Sequence, residues 1–176
     1  MSRYLLTPIF ALSLLTACAT HSPTAGSIGG AVPLDCAPFA RALSGIRLTG
    51  AAADWWWLAD GRYDRGDRPS IGSVLVLRRS GRLPDGHVAV VSQIVGRRQI
   101  MVTQANWVHH RVNQDQPVID VSATNDWSIV RVWWPPSGQM GVTDYPAHGF
   151  IRADRPLTHD QLAAAIPRAI RLATNQ

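Results

Sequence analysis

Apolar positions recur with two periods along this chain, helical near both ends and strand-like between. In "DCAPFARALSG", Phe39, Ala40 and Leu43 share one helical face, Asp35 stands at an N-cap and Gly45 at a stop, predicting a helix that begins at Cys36. Pro38 is tolerated there because first-turn amides have no intrahelical partner. "AAADWWWLADGRY" places Ala52, Trp55, Trp56 and Ala59 at helical spacing, a pattern that suits core packing or a binding platform. After the Gly/Pro break "DRGDRPSIG" the period changes to two. "SVLVLRR", "HVAVVSQIV" and "QIMVTQANW" are β-branched runs joined by the turns "SGRLPDG" and "VGRR", an antiparallel meander that "PVIDVS" and "SIVRVWWP" extend. In the tail, Thr158 and Gln161 have capping-box spacing and Leu162, Ile166 and Ile170 form one stripe, predicting an amphipathic helix bent near Pro167. Helices followed by a run of strands indicate an α+β domain.

The first residues do not belong to that pattern. "MSRYLLTPIFALSLLTACAT" has Arg3, an apolar run from Leu5 to Leu15 and small residues around Cys18, the layout of a secretory signal over residues 1–18. It is too short to remain as a spanning helix. "LTAC" reads as a lipobox with Cys18 acylated, while Ala17 and Ala19 also bracket an ordinary cleavage site. Both routes remove or block Cys18 and export the chain, and the lipobox would leave a periplasmic lipoprotein whose membrane contact is its lipid anchor. Residues 19–32, rich in Ala, Gly, Ser, Thr and Pro, read as a flexible tether. Residues 33–152 then form one globular domain and residues 153–176 a helical extension.

Charge changes the picture little. The net charge is +5 and every basic residue is arginine, but the arginines are scattered without aromatic interleaving, which argues against nucleic acid. An anionic envelope partner or a solvated surface fits them better.

With Cys18 blocked or removed, Cys36 is left as one unpaired thiol in an exported domain. A buried hydrophobic role is open to it. Its place in a first helical turn favours a reactive one, since the helix dipole stabilises a thiolate while Asp35 opposes it. A thiol nucleophile needs a base, and six histidines are present. His21 lies in the tether, His109 and His110 in a polar turn, and His148 and His159 in late turn-like segments. His87 opens the apolar strand "GHVAVV", where an imidazole on the sheet face is costly without a partner. In the next strand Gln104 and Asn106 are two apart, on one face, either holding that ring or forming a polar edge pair.

The order of Cys36 at a helix start in "DCAPFAR", then "GHVAVV", then a strand ending in "QANW", resembles the CHAP domain (cysteine, histidine-dependent amidohydrolase/peptidase) of bacterial cell-wall enzymes, in the papain-like NlpC superfamily. The resemblance runs from about Pro33 to Phe150, through "NDWSIVRVWW" and "YPAHGFI". It implies Cys36 as nucleophile, His87 as general base and acid, and Asn106 as the residue orienting the imidazole, with Gln104 standing where the family often has an acid. Gly72 and Ser73 likewise replace a frequent Gly-Asp. The implied fold is papain-like, the Cys36 helix packed on an antiparallel sheet with the cleft between them. The implied reaction is amide hydrolysis in peptidoglycan, at the muramic acid to peptide bond or within the stem peptides, by a monomer without metal or cofactor. Two other classes fit the residues: an envelope-binding module that keeps the fold with Cys36 idle, and a zinc hydrolase using Cys36, His87 and His109 or His110, for which no paired-ligand spacing exists.

Overall fold

The computed structural model describes residues 26–28 and 31–175. The signal segment, Cys18 and His21 lie outside them. Helix α1 (Cys36–Ser44) begins at the expected residue, and Gly45 ends it in the left-handed conformation with φ 80°. Phe39, Ala40 and Leu43 are buried. A short 3-10 turn over Ala52–Asp54 leads into α2 (Trp55–Leu58). Trp55 is fully buried, whereas Trp57 is 64% exposed, so the three tryptophans divide between core and surface.

Six long or medium strands follow the meander order only in part. The strands are β1 (Gly26–Ile28), β2 (Asp64–Gly66), β3 (Val74–Leu77), β4 (His87–Gly96), β5 (Gln99–Ala105), β6 (Val112–Asp120), β7 (Ile129–Trp134), β8 (Gln139–Met140) and β9 (Tyr145–Arg152). The run β3 to β7 pairs in sequence, antiparallel throughout. Two features depart from the expectation. First, β9 pairs with both β3 and β7, so the ring β6, β5, β4, β3, β9 and β7 closes on itself as a barrel rather than an open meander. "YPAHGFI" was expected to be turn-like; His148 lies within this closing strand. Second, residues 26–28, expected to belong to the tether, pair with β6.

Closure explains why the strands read as nearly unbroken apolar runs. Val74, Val76, Val88 and Val90 face outward and pack with α1 and the tail helix α3 (His159–Thr174). Their alternates Leu75, Leu77, Ala89 and Val91 point inward, against Phe150, Trp127 and Val102. Both faces are buried, and each of these valine, leucine and phenylalanine side chains contributes about 1.5–3 kcal/mol relative to exposure. The capping box at Thr158 and Gln161 is formed, and Leu162 and Ile166 are buried against the same layer as α1, so α3 belongs to the core of the domain. Pro167 lies inside this continuous helix.

Candidate active site

His87 is placed by the turn before it. Gly86 has φ 73°, and a Cβ there would lie 2.6 Å from Ala53 Cβ and from Leu77 O, so only glycine lets the chain enter β4 at this point. His87 shares the pleat of Ala89 and Val91, which directs its ring toward the barrel interior at one end. The ring is buried and packs edge-on against Trp107, with centroids 5.0 Å apart. Trp107 is itself fixed, since its indole N–H donates to Trp133 O at 3.0 Å.

Cys36, the first residue of α1, meets this ring. Its thiol is in hydrogen-bond contact with His87 and receives the backbone N–H of Val88. Burial alone pushes the thiol pKa up. The charge of His87, the hydrogen bond from its ring and the Val88 amide outweigh that and hold it below its ordinary value, with Asp35 opposing weakly. The two opposing influences at the helix start are thus decided by a group from another strand.

The third group differs from the expectation. His87 Nε2 lies 3.0 Å from Gln104 Oε1. A carbonyl oxygen only accepts, so Nε2 carries the proton and Nδ1 is the nitrogen left for the thiol. Gln104 is buried, and its own Nε2 has no partner. Asn106 goes elsewhere: its Nδ2 donates to Asp35 Oδ1 at 3.0 Å and its Oδ1 accepts from His110 N at 3.0 Å. The reason is local. β5 ends at Ala105 and Asn106 takes φ 59°, so the alternation that would put residues 104 and 106 on one face no longer holds. Asp35, expected to cap α1 with its side chain, makes no such bond and is tied to Asn106 instead.

The remaining histidines stand apart from this group. His109 and His110 stack on each other, His148 packs between Trp56 and Trp57, and His159 opens α3 beside Asp115. Among the described residues no three His, Cys, Asp or Glu side chains gather in metal-binding geometry, so the Cys36, His87 and His109 or His110 set is not assembled.

A cleft of about 540 Å³ opens at the barrel end, not between helix and sheet as expected. His87, Asn106 and Trp107 form part of its lining, and the β7–β8 region supplies Trp134, Met140 and Val142. These walls escaped sequence reasoning because they come from separate segments that only barrel closure brings together.

The model of the CHAP domain family matches residues 26–106. It starts earlier than the resemblance seen in the sequence and stops at Asn106, so it spans Cys36, His87 and Gln104 but not the cleft wall from Trp107 onward. Such a domain points to peptidoglycan hydrolase or amidase-type activity. Neither the curated proteins nor the solved structures yield a match.

Proposed function

We propose that this chain, whose residues 26–106 are a CHAP domain, hydrolyses amide bonds of peptidoglycan through Cys36 and His87, with Gln104 as the positioning residue. The observation that carries this reading is the contact of a pKa-lowered thiol with an imidazole whose far nitrogen is held at 3.0 Å by Gln104, at the edge of an open cleft. Nucleophile, base and orienter in series are what thiol acyl transfer requires.

The steps follow from the geometry. The Cys36 thiolate attacks the scissile carbonyl carbon, with the unpaired first-turn amides of α1 available to the developing oxyanion. The C–N bond breaks and the leaving amine takes a proton from His87. Water then attacks the thioester, its proton passing to His87, and releases the carboxylic acid with the thiolate restored. Gln104 keeps the imidazole turned toward sulfur through both steps.

The helix-on-sheet arrangement around a cysteine and a histidine supports a papain-like relationship. An exported location follows from the reading of residues 1–18, with Cys18 carrying the lipid anchor, and a monomer acting on stem peptides remains our expectation.

Cys36→Ala should reduce muropeptide release from purified sacculi by more than about a thousandfold while the thermal transition stays within a few degrees. Undiminished release by that variant would remove the thiol from the mechanism.

A further inference from the structure

The cleft beside His87 has a charge asymmetry that the reaction itself does not need. Arg82 is the one arginine in its lining, which contains no aspartate or glutamate. Some arginines elsewhere are ion-paired, Arg79 with Asp54, Arg98 with Asp120 and Arg131 with Asp144. Arg82 makes no ion pair or hydrogen bond among the described residues. Asp85, in the same turn, also acts on Arg79.

The turn that carries Arg82 is well held. Ser80 and Leu83 exchange two backbone hydrogen bonds of 3.0 Å, and Gly86 N donates to Leu83 O at 3.0 Å. Arg82 is therefore carried on the turn that leads directly into His87. Trp134, Met140 and Val142 give the same cleft an apolar side, with Val142 87% exposed. A guanidinium without a partner beside an apolar wall suits one class of ligand: a peptide with a free carboxylate close to its scissile amide and aliphatic side chains around it.

We infer that Arg82 is a specificity-determining residue that binds a free carboxylate of the substrate peptide, so that the enzyme discriminates against peptides whose carboxylates are amidated. The inference rests on the proposed peptidoglycan reading for the origin of the peptide, but the charge preference is a property of the cleft and can be read without turnover. Arg82 is exposed, so the preference is modest and salt-dependent.

The test uses a muropeptide fraction divided in two, one half amidated at its carboxylates with carbodiimide and ammonia. Binding of each half to the Cys36→Ala protein is measured by calorimetry at low salt, and turnover of each by the wild type in parallel. The unmodified half should bind about five- to tenfold tighter, and Arg82→Ala on the same background should bind both halves equally. In turnover the difference should appear in KM with kcat little changed. Equal binding of the two halves by the Cys36→Ala protein, or an unchanged preference after Arg82→Ala, would overturn the inference even if wild type hydrolyses both. An Arg82-dependent preference in binding without any hydrolysis by wild type would support it while refuting the hydrolase reading.

Discussion

Two polar clusters share strand β4, and they have opposite characters. At its first residue, His87 joins Cys36, Gln104 and Trp107, and His87 and Trp107 line a cleft. Farther along, Ser92 Oγ donates to Asp115 Oδ1 at 2.6 Å, Gln93 Nε2 lies 2.9 Å from His159 Nε2, and His159 approaches Asp115 Oδ2 at 3.5 Å. Both clusters contain a histidine, an amide and a hydroxyl or thiol. In the second, however, the hydroxyl is bonded to the carboxylate rather than to the imidazole, Ser92 is buried, and no lining residue of the cleft belongs to it. It fastens α3 to the barrel. A polar cluster supports nucleophilic chemistry only when the base touches the nucleophile, a third group turns the base toward it, and substrate has room to enter.

Gln104 is where the two clusters differ most. Gln104→Ala should lower kcat by about 10- to 1000-fold, since an unheld imidazole no longer presents Nδ1 to the thiol. Asn106→Ala should cost less activity, because that side chain braces Asp35 and the turn to His110 rather than the ring. Gln104→Glu sharpens the assignment. It removes the unpaired buried amide donor and offers a charge to the imidazolium, so activity at neutral pH should be kept or rise. A merely structural Gln104 would show no such rescue and no change in pH profile, and a larger loss from Asn106→Ala would return the orienting role to Asn106.

The next effect is in the titration of the thiol. Because the folded pKa of Cys36 is lowered, alkylation of the native protein should reach half its maximal rate at a lower pH than alkylation of the urea-unfolded chain, whose thiol has its ordinary value. His87→Ala should move the native midpoint upward. Between the lowered folded value and the ordinary one the unfolded chain binds more protons, so this contribution grows with rising pH, is complete above the unfolded value and is lost as pH falls through the folded one. Denaturant midpoints of wild type and Cys36→Ser, compared across that window, should diverge as pH rises; parallel curves would contradict the lowered thiol pKa.

The smallest effect belongs to the second cluster. Asp115→Ala leaves the buried Ser92 hydroxyl without its acceptor and places alanine at φ 50°, a left-handed position that asparagine and aspartate tolerate better. Stability in urea should fall by about 1–3 kcal/mol with kcat/KM changed less than about twofold. Asp115→Asn should recover most of it. A collapse of activity at unchanged stability would show that the two clusters are coupled along β4.

What could be read from residues alone was whatever local rules decide. The start of α1 at Cys36, the stop at Gly45, the capping box of Thr158 and Gln161 and the runs that became β3 to β7 follow from caps, periodicity and turn residues, which act over a few positions. The candidate group Cys36, His87, Gln104 and Asn106 was visible as residue types in a family order. Which amide reaches the imidazole was not. That turned on where β5 ends and on the left-handed φ of Asn106, one residue past the strand, where the period of two no longer applies. Barrel closure was hidden for a related reason. β9 pairs with β3, about seventy residues earlier in the chain, and no local pattern specifies such a partner. The thiol pKa was equally undecidable from the helix start, because Asp35 and the helix dipole oppose each other there and the groups that tip the balance, His87 and the Val88 amide, come from a strand that only tertiary packing brings against the first turn of α1.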